Sequence, residues 1–280
     1  MSKVIVDTTI LVNALTKTKA VRDESRQSIS AASVARLPVY AIKEFGKGFI
    51  QYAVWFHNRI VVSTSMAEVY RAIHSVHRNP SRVGAALELL AQAADDYSNQ
   101  TSDELIDTYG VPAHQEQIQL AQLRLFARRK AESGWKRRRS LDCHVICNLD
   151  CFDENPITMK LNGQLTPVNS CNIRLNGCSM AKVMSQDRAR VRTLRDASGE
   201  IGDEESSKRA KILDKVARRI VDLSHSECRN LGDAVFSFLA SDDFKVLTTN
   251  LKHHAPLADA VGSEAIVPTD VTKGGVSPST

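Results

Sequence analysis

The stretch KVIVDTTILVN, residues Lys3 to Asn13, changes its pattern at the centre. Lys3 to Val6 predicts a buried strand, and Ile10 to Val12 predicts the inner face of the segment that follows. An ionisable residue, Asp7, stands at the junction and is followed by two threonines. An unpaired buried carboxylate is costly, so such a group normally pairs, shifts its pKa or binds a metal. Asp7 therefore requires a partner.

The composition is typical of a water-soluble globular protein, because 42% of the 280 residues are hydrophobic and 25% are charged. A chain of this length has room for one large domain, or for an ordinary domain with an insertion. No apolar run in the sequence reaches the roughly 18 residues of a membrane helix. Asp7 and Asn13 interrupt the apolar core that a signal peptide would need, so we expect a cytoplasmic protein with no membrane partner.

Both ends of the chain alternate between strand and helix patterns. The N-terminal part has a strand ending at Asp7, a helix from about Thr9, and a second apolar piece, LPVYAI, that runs into a helical pattern. The C-terminal part has four segments: the helix LGDAVFSFLAS, the strand FKVLTTN, the short helix LKHHAPLADAVG and a final strand in EAIVPTD. Such alternation predicts an α/β fold, with a parallel sheet flanked by helices on both faces.

The middle of the chain, residues 99–205, lacks this alternation. There we predict a helix over Gln115 to Lys130, irregular or short β-structure over Leu141 to Cys178, and an exposed acidic loop over Ser198 to Ser207. The predicted organisation has residues 1–98 as the first part of the sheet domain and 99–205 as a large central insertion or subdomain. Residues 206–270 are then the second part, and 271–280 a disordered tail.

Four polar residues are predicted at the edge of the sheet where parallel α/β folds bind ligands, outside the carboxyl ends of the strands. Asp7 follows the first strand, Glu44 follows the second apolar piece, and Asn250 ends the last long strand. Asp233 opens the helix that leads into that strand. Each has a structural explanation of its own, as a helix cap, a surface residue or a turn former. Their convergence on one edge favours a functional site.

These segments resemble the PIN domain (PilT N-terminal) family of metal-dependent nucleases. The resemblance is carried by VIVDTTILVNAL, VYAIKEF and LGDAVFSFLASDDFKVLTTNLKHH, and it covers about residues 3–58 and 214–267. It implies a PIN-like doubly wound parallel sheet. It also implies that Asp7, Glu44 and Asp233 are catalytic metal ligands, with Asn250 at the fourth position of that set. Thr9 and Thr248 match the supporting positions that hold the metal-bound water or the acidic side chains.

The chemistry of these residues agrees with that implication. Carboxylate and amide oxygens suit Mg²⁺ or Mn²⁺ better than zinc, and clustered carboxylates repel one another without a cation. The expected activity is that of an endoribonuclease that cleaves single-stranded RNA, in a toxin or a defence effector. An inhibitory or activating protein partner and a homo-oligomer belong to the same expectation. The alternative is a PIN-like nucleic-acid-binding or scaffolding protein with weakened catalysis.

A basic segment, RLFARRKAESGWKRRR (Arg124 to Arg139), holds eight basic residues and one acidic residue, Glu132. Such clustering predicts a nucleic-acid footprint, and a solvated helix face is the alternative interpretation. The predicted RNA-binding residues are Arg128, Arg129, Lys130, Arg137, Arg138 and Arg139.

Two further patterns have competing interpretations. Five cysteines raise the hypothesis of a zinc-binding interaction module, and buried reduced thiols are the favoured interpretation because the spacing fits zinc knuckles only loosely. These cysteines are Cys143, Cys147, Cys151, Cys171 and Cys178. His253 and His254 follow Asn250, where they are candidates to contact phosphate; the favoured interpretation is a short surface helix that carries histidines.

Overall fold

The computed structural model describes residues 2–75, 80–97, 115–147, 149, 157–167, 177–240 and 243–273. Contacts divide the chain into two compact units. The sheet unit comprises Met1–Phe45, Arg138–Glu154 and Ser170–Thr280. The helical unit comprises Gly46–Arg137 and Asn155–Asn169. Among the described helices, none is both long and apolar enough to cross a bilayer.

The sheet unit is built on a five-stranded sheet whose strands are all parallel. Its strands are β1 (Lys3–Val6), β2 (Val34–Pro38), β3 (His144–Ile146), β6 (Phe244–Leu247) and β7 (Ala265–Ile266), in the order β3-β2-β1-β6-β7. The central strand β1 is apolar and buried from Val4 to Val6, as expected for a strand covered on both faces. This confirms the predicted α/β class with a parallel sheet.

The described helices, in chain order, are α1 (Thr8–Thr16), α2 (Lys19–Ala31), α3 (Val39–Phe45), α4 (Gln51–Val62), α5 (Met66–His74), α6 (Pro80–Tyr97), α7 (Gln115–Arg137), α8 (Ser179–Met184), α9 (Arg188–Ile201), α10 (Glu204–Ala217), α11 (His225–Asn230), α12 (Asp233–Leu239), α13 (Leu251–Ala260) and α14 (Pro268–Lys273). Helices α4 to α7 belong to the helical unit, and the others belong to the sheet unit. Helix α1 begins at Thr8 because the Asp7 carboxylate accepts hydrogen bonds from the backbone N–H groups of Thr8 and Thr9.

The helical unit is held by packing between α4 and α7 and by a two-stranded antiparallel hairpin. The hairpin strands are β4 (Ile157–Met159) and β5 (Leu165–Pro167). Asn58 on α4 exchanges two hydrogen bonds with the backbone of Leu165, at 2.8 and 2.7 Å. The helix predicted over Gln115 to Lys130 is therefore present, and it continues to Arg137.

The boundaries between the two compact units differ from the predicted domain boundaries at residues 98 and 205. The helical unit starts at Gly46, whereas β3 and α8 to α10 belong to the sheet unit. Pairing of β3 with β2 explains part of this difference, because Arg36 lies opposite His144 in a parallel register. A three-residue edge strand carries too little pattern to be recognised in the sequence.

The second apolar piece, LPVYAI, spans two elements, since Pro38 ends β2 and Val39 begins α3. Two predicted segments were wrong in detail. Ser198 to Ser207 is not an exposed loop, since α9 ends at Gly202 (φ 79°) and Asp203 then caps α10 through Ser206 N at 2.7 Å. In EAIVPTD only Ala265–Ile266 is a strand, and Pro268 begins α14.

The start of the predicted disordered tail, residues 271–280, also differs. Val271 is buried within α14, which ends at Lys273. The remainder, 274–280, lies outside the described residues.

Candidate active site at the sheet edge

Asp7 is a buried carboxylate with protein partners at both oxygens. Its Oδ1 accepts a hydrogen bond from Thr8 N at 2.6 Å, and its Oδ2 accepts the hydroxyls of Thr9 at 2.6 Å and Thr248 at 2.8 Å. The parallel register of β1 with β6, which pairs Val6 with Leu247, places Asp7 beside Thr248. These donors satisfy the Asp7 carboxylate within the protein, and the expectation that Asp7 is a metal ligand stays a prediction.

Glu44 lies on α3 and is linked to Asp7 through one residue. The hydroxyl of Thr8 donates to Glu44 Oε2 at 2.5 Å, while the backbone of Thr8 donates to Asp7. Burial raises the pKa of Glu44 to about 7, with further contributions from the negative charges of Asp7 and Asp233. The hydrogen bond from Thr8 opposes this shift. The negative charges of both other carboxylates therefore affect the pKa of Glu44.

Asp233 opens α12, and two basic side chains contact it. Arg209 Nη2 lies 2.7 Å from Asp233 Oδ2, and His254 Nε2 lies 3.2 Å from Asp233 Oδ1. Burial alone would raise the pKa of Asp233, but His254 and Arg209 outweigh it and lower the pKa below its usual value. We call Asp7, Glu44 and Asp233 the acidic cluster.

His254 connects the two aspartates of the acidic cluster. Its Nε2 lies 3.5 Å from Asp7 Oδ2, in addition to the contact with Asp233, and the residue is only 1% exposed. Burial tends to lower the pKa of His254, yet the carboxylates of Asp233 and Asp7 raise it above its usual value. Among the described residues neither ring nitrogen meets strict hydrogen-bond geometry, yet hydrogen bonding of His254 to Asp233 contributes to its raised pKa together with the two negative charges.

Tyr40 fixes the loop that carries Asp233. Its hydroxyl donates to the carbonyl of Cys228 at 2.9 Å and accepts a hydrogen bond from Gly232 N at 3.1 Å. Because Tyr40 and Glu44 are one turn apart on α3, the same helix positions Glu44 and the start of α12.

Asn250 lies at the same sheet edge, after β6, as the N-cap of α13. Its backbone N–H donates to Thr248 Oγ1 at 3.0 Å, and its side chain makes no capping hydrogen bond. The Thr248 hydroxyl therefore links the backbone N–H of Asn250 to the Asp7 carboxylate. The structure brings together Asp7, Thr9, Glu44, Asp233 and Thr248, and it places Asn250 beside them.

Sequence reasoning assigned no role to Thr8 or Arg209, and it named His254 as a candidate phosphate contact while favouring a surface position for it. His254 was expected on a surface helix, yet it is buried; its position four residues after Asn250, one helical turn on, was the available signal. Thr8 follows Asp7 directly and was passed over in favour of Thr9. Arg209 is one of several basic residues on α10; the available signal was its helical spacing, because it lies three and four residues before Ile212 and Leu213 on the buried face.

The basic segment lies on α7 as far as Arg137, and Arg138 and Arg139 follow in a 3₁₀ turn, Arg138–Ser140, that belongs to the sheet unit. Arg128 pairs with Glu132 at 3.0 Å, and Lys130 Nζ donates to Gln92 Oε1 at 2.9 Å. Arg129 and Arg139 are exposed. The side chains of Arg137 and Arg138 lie outside the described part of the structure.

The cysteines proposed for zinc are only partly described. Cys143 and Cys147 are half-buried free thiols, and burial raises the pKa of Cys143 to about 12. Cys178 is buried beside Cys228, whose hydrogen bond lowers the pKa of Cys178 to about 6. Cys151 and Cys171 lie outside the described residues.

No three His, Cys, Asp or Glu side chains form a ready-made metal-binding group within the residues that the structure describes. The hard oxygens of the acidic cluster suit Mg²⁺ or Mn²⁺ chemically. However, oxygens of Asp7 and Asp233 already accept hydrogen bonds from Thr9, Thr248 and Arg209. An ion that binds there must therefore share these oxygens with the protein donors or displace the donors.

Comparison of the chain with models of known protein families, with curated proteins and with solved structures finds no match. The functional argument therefore depends on the geometry of the acidic cluster.

Proposed function

We propose that the chain is a Mg²⁺- or Mn²⁺-dependent endoribonuclease of the PIN type that hydrolyses phosphodiester bonds of single-stranded RNA. One observation supports this proposal above the others: three carboxylates from distant parts of the chain interact at the carboxyl edge of a parallel sheet. His254 Nε2 contacts Asp7 and Asp233 at 3.5 and 3.2 Å, and the pKa of Glu44 is raised to about 7, chiefly by burial and further by both aspartates. Ligands of open α/β sheets bind at this edge.

In this proposal the acidic cluster holds the metal. When bound, such an ion lowers the pKa of a water molecule and neutralises charge on the phosphodiester. The protein's own contribution is orientation, since Thr9 and Thr248 hold Asp7 while Thr8 links Asp7 to Glu44. The donor set fits a hard divalent cation in its chemistry, with Asn250 as a neutral fourth oxygen donor.

A non-catalytic function has an observation of its own in its favour. Arg209 and His254 lie against the Asp233 carboxylate at 2.7 and 3.2 Å, so positive groups of the protein already offset its negative charge. A PIN-like nucleic-acid-binding or scaffolding protein would keep such a pairing for stability alone. The two functions differ in whether divalent ions bind and RNA is cleaved.

Cleavage of end-labelled single-stranded RNA in Mg²⁺, in Mn²⁺ and in EDTA separates them. We expect cleavage with a divalent ion, none in EDTA, and a loss of at least about a hundredfold in Glu44→Gln, as for removal of a group that stabilises transition-state charge. Glu44→Gln suits the test because glutamine keeps an oxygen that accepts the Thr8 hydrogen bond. Asp243→Asn, at an exposed ion pair with Lys3, is the matched control and should cleave like the wild type.

Two results would contradict the proposal. Full activity in a folded Glu44→Gln variant would show that RNA cleavage does not depend on the acidic cluster. Wild-type protein that binds RNA without cleaving it under any of the three conditions would favour the non-catalytic function.

We also propose that the basic residues of the segment Arg124 to Arg139 bind RNA phosphates. Phosphate contacts displace counterions, so binding weakens as salt rises. Reversing the charge of Arg137, Arg138 and Arg139 to Glu should weaken RNA binding at least about tenfold and flatten its salt dependence. Reversal of Arg218 and Arg219, exposed residues of the sheet unit, is the control. Equal binding by both variants across a salt titration would instead support the solvated helix face.

A further inference from the structure

Arg209 is a buried arginine at the base of the acidic cluster. It lies on α10, is 4% exposed, and directs Nη2 toward Asp233 Oδ2 at 2.7 Å. Its Nη1 has a weaker contact with Ser206 Oγ at 3.5 Å, and its buried Nε has no hydrogen-bond partner among the described residues. The Asp233 carboxylate is therefore the main counterion of this guanidinium.

The backbone before Asp233 accommodates this approach. Gly232 has φ 43°, in the left-handed region where a side chain is strained, and it immediately precedes α12. A Cβ at Gly232 would lie 3.9 Å from both Nε and Nη2 of Arg209. The backbone conformation is what favours glycine here, since the contact of such a Cβ with Arg209 would be an ordinary van der Waals one.

The charge of Arg209 is permanent, because a guanidinium keeps its proton even when it is buried. Arg209 and His254 contact different oxygens of Asp233, at 2.7 and 3.2 Å. A divalent ion that uses Asp233 as a ligand must therefore share the carboxylate with a fixed positive charge or displace it. Two positive charges a few ångströms apart in a partly buried site, here the guanidinium and the divalent ion, repel one another strongly.

We propose that Arg209 is a built-in counter-cation of the acidic cluster, which positions Asp233 in the metal-free protein and competes with the divalent ion for its carboxylate. This inference rests on the proposed function, because it assigns the same cluster to metal binding. Competition from Arg209 weakens the affinity of the site for the ion. Occupancy of the site then follows the free Mg²⁺ or Mn²⁺ concentration. A purely structural ion pair would leave the ion affinity unaffected.

The test is Mn²⁺ binding to Arg209→Gln, measured by electron paramagnetic resonance of free Mn²⁺ at constant pH and ionic strength. Glutamine keeps an N–H donor for Asp233 and removes the charge. We expect Mn²⁺ to bind at least about tenfold more tightly than to the wild type. Arg209→Lys, which keeps the charge, should stay within about threefold, and Arg218→Gln is a control for an exposed arginine on the same unit.

The outcomes separate this inference from the proposed function. Unchanged or weaker Mn²⁺ binding by folded Arg209→Gln, with a wild type that binds Mn²⁺ and cleaves RNA, overturns the inference alone. A wild type that binds no Mn²⁺ overturns both. If Arg209→Gln does not fold, Arg209→Met, an unbranched side chain without charge, replaces it in the same Mn²⁺ titration. Tighter Mn²⁺ binding than in the wild type is expected, and unchanged or weaker binding overturns the inference.

Discussion

The acidic cluster and the basic segment Arg124 to Arg139 bring charged side chains together in opposite ways. Asp7, Glu44 and Asp233 are far apart in sequence and meet because Asp7 follows β1 while α3 and α12 bring Glu44 and Asp233 to the same edge. The basic residues are neighbours in sequence, and α7 turns successive side chains about 100° apart around its axis. Charged residues that are close together in the sequence therefore need not interact in the fold. Charged residues that are far apart in the sequence can do so.

The two regions also differ in how strongly their charges interact. In the acidic cluster, burial and two neighbouring carboxylates raise the pKa of Glu44 to about 7. In α7, Arg128 and Glu132 form an ion pair with side chains 43% and 39% exposed. Water screens an exposed pair, so its contribution to stability is small. This difference predicts a ranking of mutational effects.

The largest effect on stability is expected for Asp7→Ala. The change removes the N-cap of α1 and leaves the hydroxyl of Thr248, which is 0% exposed, without its acceptor. Loss of a cap costs about 1 kcal/mol, and an unsatisfied buried group costs about 1–3 kcal/mol, so we expect unfolding to become easier by about 2–4 kcal/mol. Urea denaturation in EDTA measures the change. Asp243→Ala, at an exposed ion pair, should stay within about 0.5 kcal/mol; a similar value for both variants would contradict the prediction.

An intermediate and pH-dependent effect is expected for Glu44→Gln. The folded protein holds the Glu44 proton up to a pKa of about 7, whereas the usual value is 4.5. Between these values the unfolded chain releases the proton first, so stability falls as pH rises from about 4.5 to 7 and stays reduced above that range. Removing the carboxyl should stabilise the protein at pH 8 by about 1–3 kcal/mol and change little near pH 4.

A series of melting curves from pH 4 to pH 8 in EDTA tests this second prediction. The wild-type and Glu44→Gln curves should diverge as pH increases. Parallel curves would show that Glu44 is not held in its neutral form by the fold.

The smallest effect is expected in the basic segment. Arg128→Ala removes a partly exposed i,i+4 pair with Glu132, and such pairs contribute about 0.3–0.5 kcal/mol. We therefore expect a change in unfolding free energy below about 0.5 kcal/mol, measured by urea denaturation in low salt. The change should vanish in 1 M NaCl, where the Debye length is about 3 Å. A loss above about 1.5 kcal/mol would mean that α7 depends on this charge as the sheet edge depends on Asp7.

Several features of the fold followed from local patterns in the sequence. The apolar run before Asp7 predicted β1, and FKVLTTN predicted β6, because a buried parallel strand needs consecutive apolar residues. Placement of Asp7, Glu44 and Asp233 on one sheet edge followed from the rule that parallel strands end together. Short or capped elements were harder: β3 has three residues, and the junction at Gly202 looked like a loop because charged residues surround it.

The sequence by itself determined the α/β class, the central strands and the three carboxylates, since their signals lie in short-range periodicity and in strand ends. Only the tertiary structure decided how those carboxylates are balanced. Arg209 and His254 become partners of Asp233 because α10 and α13 bring them there, at 2.7 and 3.2 Å. Helical spacing places Arg209 on the apolar face of α10, but it does not specify which acid will pair with the guanidinium. Its burial depends on a counterion supplied by a distant segment, and that pairing exists only once the chain has folded.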